Sequence, residues 1–188
     1  MTPQTKIRLE KMKGMLEGGK TLEIGVINHR ITGGVSLDCN KDYNPDILHD
    51  LNNGKIPLED NSFNVIVAGE VLEHLLDVYN VTSEFYRILE DNGVLILSVP
   101  NISSLVSRIK GLFGFLPTSC SLPAPSSKLD KHVNDFNKRE IKKVLKQANF
   151  KVEKITSNGL IFHRGLITRF IPASMGETLI IKARKIKL

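Results

Sequence analysis

A three-layer α/β fold built on a mostly parallel sheet is the expectation for this chain, from three observations. Short apolar runs ended by glycine or aspartate succeed one another through the first hundred residues. Helix-spaced apolar stripes separate the later runs, as crossovers between parallel strands require. The two last strand-like runs, near 150–156 and 178–184, have no clear full crossover between them, which places an antiparallel pair at one edge of the sheet. At 188 residues and 41% hydrophobic content the chain suits one core and one domain over 1–188. Within it, 1–19 is an N-terminal helix, 20–100 a binding core, 101–136 a helix and lid loop, and 137–188 a last helix and strands.

Residues 4–17 have helical spacing. The first twenty residues carry Lys6, Arg8, Lys11, Lys13 and Lys20 with no apolar stretch among them, so they read as neither a secretory signal nor a membrane span, and no later apolar run is long enough to span. Thr21-Leu22-Glu23-Ile24-Gly25 is a short buried strand stopped by glycine. Val35–Asp38 is a second strand, Asp46–His49 a third, and Phe63–Ala68, rich in β-branched residues, a fourth. The period then changes: Val71, Leu72 and Leu75 fit one helical face, and Val81, Phe85, Ile88 and Leu89 another, which the turn Asp91-Asn92-Gly93 ends before a strand over 94–99. Ile102, Leu105, Val106, Ile109, Leu112 and Phe113 form a further helical stripe that Asn101 can cap. Residues 114–130 hold Pro117, Pro123, Pro125 and several serines, a composition for an irregular surface linker or for a lid over the apolar 112–116. Asn137-Lys138-Arg139-Glu140 is a capping box for a helix with Ile141, Val144, Leu145 and Ala148, and Asn149 can end it in the left-handed conformation. Arg164–Ile171, between the last two strands, reads as a short helix ended by Pro172.

Cys39 and Cys120 are the only cysteines and form no CxxC pair, which suits a reducing cytoplasm and gives no sign of a thiolate zinc site or a disulfide framework. Residues 21–100 hold four Lys/Arg against thirteen Asp/Glu, −9, which leaves +15 for the rest of a chain of net charge +6. A basic periphery can hold nucleic acid or a phosphorylated sugar, but the lysines of 138–154 fall on the outward face of a helix, where they serve solubility.

An open parallel sheet binds its ligand outside the carboxyl ends of its strands, and here the loops after strands one, two and four begin at Gly25, Asp38 and Glu70. A carboxylate ending the second strand can accept both ribose hydroxyls of an adenosine cofactor, and Asp38 stands there; a turn or cap aspartate is the plain alternative. Leu22-Glu23-Ile24-Gly25, Val35–Asp38, Asp50-Leu51, Ile56–Phe63 and Val71-Leu72-Glu73-His74-Leu75 then follow in order. That series resembles the compact class I S-adenosylmethionine-dependent methyltransferases, as does Phe85–Gly93 before the fifth strand. The resemblance implies a Rossmann-like methyltransferase fold with a seven-stranded sheet and S-adenosylmethionine as cofactor. It places Glu23, Gly25 and Val26 near the amino-acid end of the cofactor, Asp38 and Cys39 at the ribose, Asp50 and Leu51 beside the adenine, and Glu70 at the start of the acceptor wall.

One departure from the family pattern is physical. Only 13 residues separate Gly25 from Asp38, where a dinucleotide-type fingerprint puts about 20 between turn and acid. The first crossover helix is therefore vestigial, the loops at 39–45 and 52–62 are also too short for helices, and the bared half of the sheet needs cover from helix 4–17 or from the second subunit of a homodimer. Glu70, Glu73 and His74, at i, i+3 and i+4, would share one helical face, and His132 follows the lid. Glu73, His74 and His132 are the candidate catalytic residues. With Glu70 they resemble the E-x-x-E-H arrangement of metal-dependent methyltransferases, which implies a divalent metal; a helix histidine satisfied by its neighbours is the plain alternative. The functions in view are a methyltransferase acting on O, N or C of a small molecule, a non-catalytic relative serving as a scaffold, and an RNA methyltransferase, the last weakened by the absence of Trp and the presence of only three Tyr.

Overall fold

The structure is a computed structural model that describes residues 1–25, 30–117, 132–161, 167–168 and 171–187. Its main sheet has seven strands: β1 (Thr21–Ile24), β2 (Val35–Asp38), β3 (Ile47–Leu48), β4 (Phe63–Gly69), β5 (Leu89–Pro100), β6 (Phe150–Ser157) and β9 (Thr178–Lys185). They stand in the order β3-β2-β1-β4-β5-β9-β6, parallel from β3 to β5, with β9 antiparallel to both neighbours. The polarity reverses because β5 and β6 share one direction and β9 comes back between them. A short pair, β7 (Leu160–Ile161) and β8 (Ile167–Thr168), lies apart.

Both faces of the central strands are apolar, so the sequence runs there read as continuous rather than alternating. Ile66, Ala68, Leu95, Leu97, Leu179 and Ile181 join a large core with the helices α2 (Val78–Ile88) and α4 (Lys138–Gln147). Val65, Val67, Val94, Ile96 and Ile180 point the other way, onto Met12 and Met15 at the end of α1 (Pro3–Lys13). Those two layers with the sheet between them are the expected three. α1 covers the middle of the sheet rather than its β1–β3 half, and Ile31 from the loop after β1 packs beside it. Residues 30–34 form bends without a helix, and single 3₁₀ turns at Lys41–Tyr43 and Leu51–Asn53 replace the next two crossovers.

Several local expectations change. α1 ends at Lys13, and Gly14 follows as its cap. The stripe after β5 gives a shorter helix, α3 (Leu105–Leu112), capped by Ser104, whose Oγ accepts from the Ser107 N–H at 3.1 Å. Asn101 instead holds the chain before β9 through bonds from Nδ2 to the carbonyls of Ser174 and Gly176. Asp91-Asn92-Gly93 lies inside β5, with Asn92 left-handed at φ 62°, and α2 ends at Ile88. Ile167–Thr168 is strand, not helix. α4 keeps its expected cap: Asn137 accepts from the N–H groups of Arg139 and Glu140, and Asn149 turns left-handed at φ 61°. The lid residues 118–131, including Cys120, lie outside the described residues.

Candidate functional site

The carboxyl ends of β1 and β4 open into a cavity of about 690 Å³ whose wall includes Glu23, Gly25, Glu70 and the outer turns of α1. Gly25 is left-handed at φ 77°, and a Cβ there would meet Val71 Cγ2 at 2.5 Å, so only glycine can end the strand this close to the next loop. Val26 lies outside the described residues. Glu23 is buried at 4% exposure and accepts from the N–H groups of Ile31 (2.6 Å) and Thr32 (2.9 Å) and from Thr32 Oγ1 (2.9 Å). Its carboxylate thus folds the abbreviated loop back onto β1, the task a crossover helix would otherwise perform.

Asp38, Cys39 and Asp50 converge beyond β2. Asp38 is 7% exposed and accepts the Asn40 N–H at 2.8 Å. Partial burial pushes the Cys39 thiol up, with the Asp38 and Asp50 carboxylates adding to the effect. Asp50 caps the 3₁₀ turn by accepting the Asn52 N–H at 2.9 Å, and the next residue, Leu51, is buried in the large core. These four are not among the residues that line the 690 Å³ cavity, whose wall runs from β1 and β4 to Asn158, Glu177 and Thr178.

The segment after β4 is not an α-helix. Glu70 is left-handed at φ 58°, and Leu72–His74 form one 3₁₀ turn. Glu70, Glu73 and His74 therefore do not share a helical face. A different device assembles the cluster: Asn134 Nδ2 donates to the Leu72 and Leu75 carbonyls at 3.3 and 2.5 Å, and the N–H groups of Val133 and Asn134 donate to the Glu73 carbonyl at 2.7 and 3.1 Å. This strap brings the His132 ring to 5.0 Å from that of His74, edge to face. One ligand atom from each of Glu73, His74 and His132 lies within 4.8 Å of the others.

Glu73 is 1% exposed, and neither carboxylate oxygen has a hydrogen-bond partner among the described residues. Burial first, and the neighbouring Glu70 second, push its carboxyl up to about 9. Burial also raises Glu70, against the opposing pull of Arg8 and the Ser98 hydroxyl, which donates to Oε1 at 3.0 Å. The site thus pairs two carboxyls that resist ionising together with two imidazoles, and it can take up a proton or hold a cation. Sequence reasoning missed Asn134 and Arg8. Asn134 carries no local signature. Arg8 does: it lies four residues before the fully buried Met12, on the same helical face.

Residues 19–155 match the family model of a methyltransferase domain. A Mycolicibacterium smegmatis protein, named as a probable S-adenosylmethionine-dependent methyltransferase, is 33% identical over 109 residues, which is 57% of this chain and 36% of that protein. The chain therefore spans about a third of that relative's length. Among solved structures, a Thermotoga maritima SAM-dependent methyltransferase, described as a possible histamine N-methyltransferase, superposes with a TM-score of 0.69 at 21% identity, covering 96% of this chain and 88% of that one. A SAM-dependent methyltransferase of Archaeoglobus fulgidus does so with a TM-score of 0.67 at 16% identity, covering 98% and 95%. These two likenesses show the fold.

Proposed function

The chain belongs to the class I S-adenosylmethionine-dependent methyltransferase family, and from that premise we propose that it transfers the sulfonium methyl of S-adenosylmethionine to a hydroxyl of a small molecule. The observation that carries the choice of acceptor is the group Glu73, His74 and His132, gathered by the Asn134 strap at the carboxyl end of β4. A hydroxyl is the nucleophile that needs help to lose its proton, and this group can give it. S-adenosylmethionine supplies a methyl on a cationic sulfur that leaves as a neutral thioether, so the carbon–oxygen bond forms as the carbon–sulfur bond breaks.

The chain's own work is positioning. Asp38 accepts from the ribose hydroxyls, Asp50 and Leu51 border the adenine, and Glu23 holds the loop that closes over β1. Glu70 begins the wall against which the acceptor lies. His74 or His132 takes the hydroxyl proton as the methyl moves. Calorimetric titration of S-adenosylmethionine and S-adenosylhomocysteine tests the cofactor half; no heat at millimolar ligand would leave a non-catalytic scaffold instead.

A divalent ion is the second reading, favoured by one observation: Glu73 has a buried carboxylate with no hydrogen-bond partner among the described residues, and two imidazoles stand within ligand reach of it. Glu73, His74 and His132 would hold the ion, a mixed oxygen and nitrogen set suited to Mg²⁺, Mn²⁺ or Zn²⁺. Such an ion lowers the pKa of a hydroxyl bound to it. Chelation decides between the two. Under the metal reading EDTA abolishes turnover and leaves cofactor affinity intact, and His74→Ala and His132→Ala behave alike; full activity in chelator selects the imidazole base.

A further inference from the structure

The end of α3 presents apolar side chains that none of the described residues covers. Leu112, Phe113, Phe115 and Leu116 are each between 65% and 83% exposed, and Ile109, one turn earlier, is exposed as well. The backbone between them is equally open, since a Cβ added at Gly111 or Gly114 would meet no atom within 4 Å. Exposed apolar side chains this close together mark a contact surface. The charge around them has one sign along the chain. From Asn92 to Leu129 there is no Asp or Glu, while Arg108, Lys110 and Lys128 are all cations. Arg108 is exposed and, among the described residues, bonds only to the Ser103 and Ser174 carbonyls; Lys110 shares the field of Glu177.

We infer that this tip docks on the surface of an anionic lipid bilayer, with Phe113, Phe115 and their leucine neighbours in the headgroup region and Arg108 and Lys110 on the phosphates. Binding at such an interface grows with the apolar area it takes up and with attraction to anionic lipid, and the tip supplies both terms. A second copy of the chain fits less well, because two such tips face to face would bring Arg108 and Lys110 against their own kind with no acid between them. A specific protein partner would need about 20–30 residues on each side, far more than the tip offers. The surface is also placed to matter. Ser104 and Ser107, at the start of α3, line a cavity of about 220 Å³ together with His132. Eight helical residues span about 12 Å, so a bilayer held by the tip stands one short helix from the histidine pair.

Flotation of the full chain with phosphatidylcholine vesicles, with and without phosphatidylglycerol, tests the inference without any need for turnover. The native chain is expected to float with the anionic vesicles and to stay largely behind with the neutral ones. The double variant Phe113→Ser, Phe115→Ser changes no charge and touches only exposed side chains, so it should melt like the native chain yet partition onto anionic vesicles about tenfold less or worse. Arg108→Gln with Lys110→Gln should lose about tenfold on the same vesicles. Lys142→Gln with Lys146→Gln, exposed on α4, removes as much charge and should stay within about twofold of native. Native chain that floats with neither vesicle overturns the inference, and the tip is then covered by residues 118–131 or by another protein. Phenylalanine variants that float like the native chain overturn it too, leaving only general adsorption of a basic protein. So does a native dimer in solution that the same variants convert to monomer, which would assign the tip to a second copy.

Discussion

Asp38 closes β2 as a nearly buried acceptor, at 7% exposure, with the Asn40 N–H on one oxygen. Two charge-assisted bonds to ribose hydroxyls would be lost with it, so Asp38→Ala is expected to weaken S-adenosylhomocysteine binding by about 1.5–3 kcal/mol while the far-ultraviolet spectrum stays native. An unchanged affinity would move the ribose contact elsewhere. Glu73 offers a second readout at this scale. Its carboxyl keeps its proton up to about 9 in the folded chain, and in the unfolded chain it ionises near ~4.3. Between those values the folded state holds one more proton, so stability is greatest at the acid end of the window and falls as pH rises through it. Melting curves of the native chain and Glu73→Gln should diverge across that range, the variant showing the shallower decline; parallel curves would mean that Glu73 finds a partner in solution.

At the scale of elements, the strap and the first helix carry the expectations. Asn134→Ala removes two bonds to the turn at Leu72–Leu75 and frees His132 from His74, so turnover should fall by about tenfold or more with cofactor affinity unchanged. Met12 is fully buried between α1 and the sheet, and Met12→Ala should cost about 2–4 kcal/mol in urea unfolding. The strands β1, β2 and β4 and the helices α2 and α4 were legible because their periods and caps agree with their final surroundings. The turn after β4 was not. Val71, Leu72 and Leu75 have helical spacing, but Glu70 is left-handed and Asn52 draws the Leu76 N–H to itself at 2.8 Å, so no helix continues. The nearness of His132 to His74 could be guessed from residue type, while the bond network that produces it depends on residues about 60 apart in sequence.

For the molecule as a whole, the division of charge has a measurable consequence. The half that holds Glu23, Asp38, Asp50 and Glu70 is the half with −9. S-adenosylmethionine carries one more positive charge than S-adenosylhomocysteine, so raising ionic strength should weaken the former severalfold more than the latter, because the field outside the cleft is screened within about 8 Å at physiological salt. Equal salt dependence would place the attraction entirely in direct contacts. A different kind of consequence follows from the position of β9. It is made after β5 and β6 yet lies between them, paired over Val94–Pro100 on one side and Phe150–Ser157 on the other. On a ribosome, a chain that has not yet reached Thr178 can fold its parallel half but must keep the β5 edge open and β6 adrift. The interval in which this protein can be captured by a chaperone, or pair with a neighbouring nascent chain, therefore lasts until Thr178–Lys185 has been made and has paired.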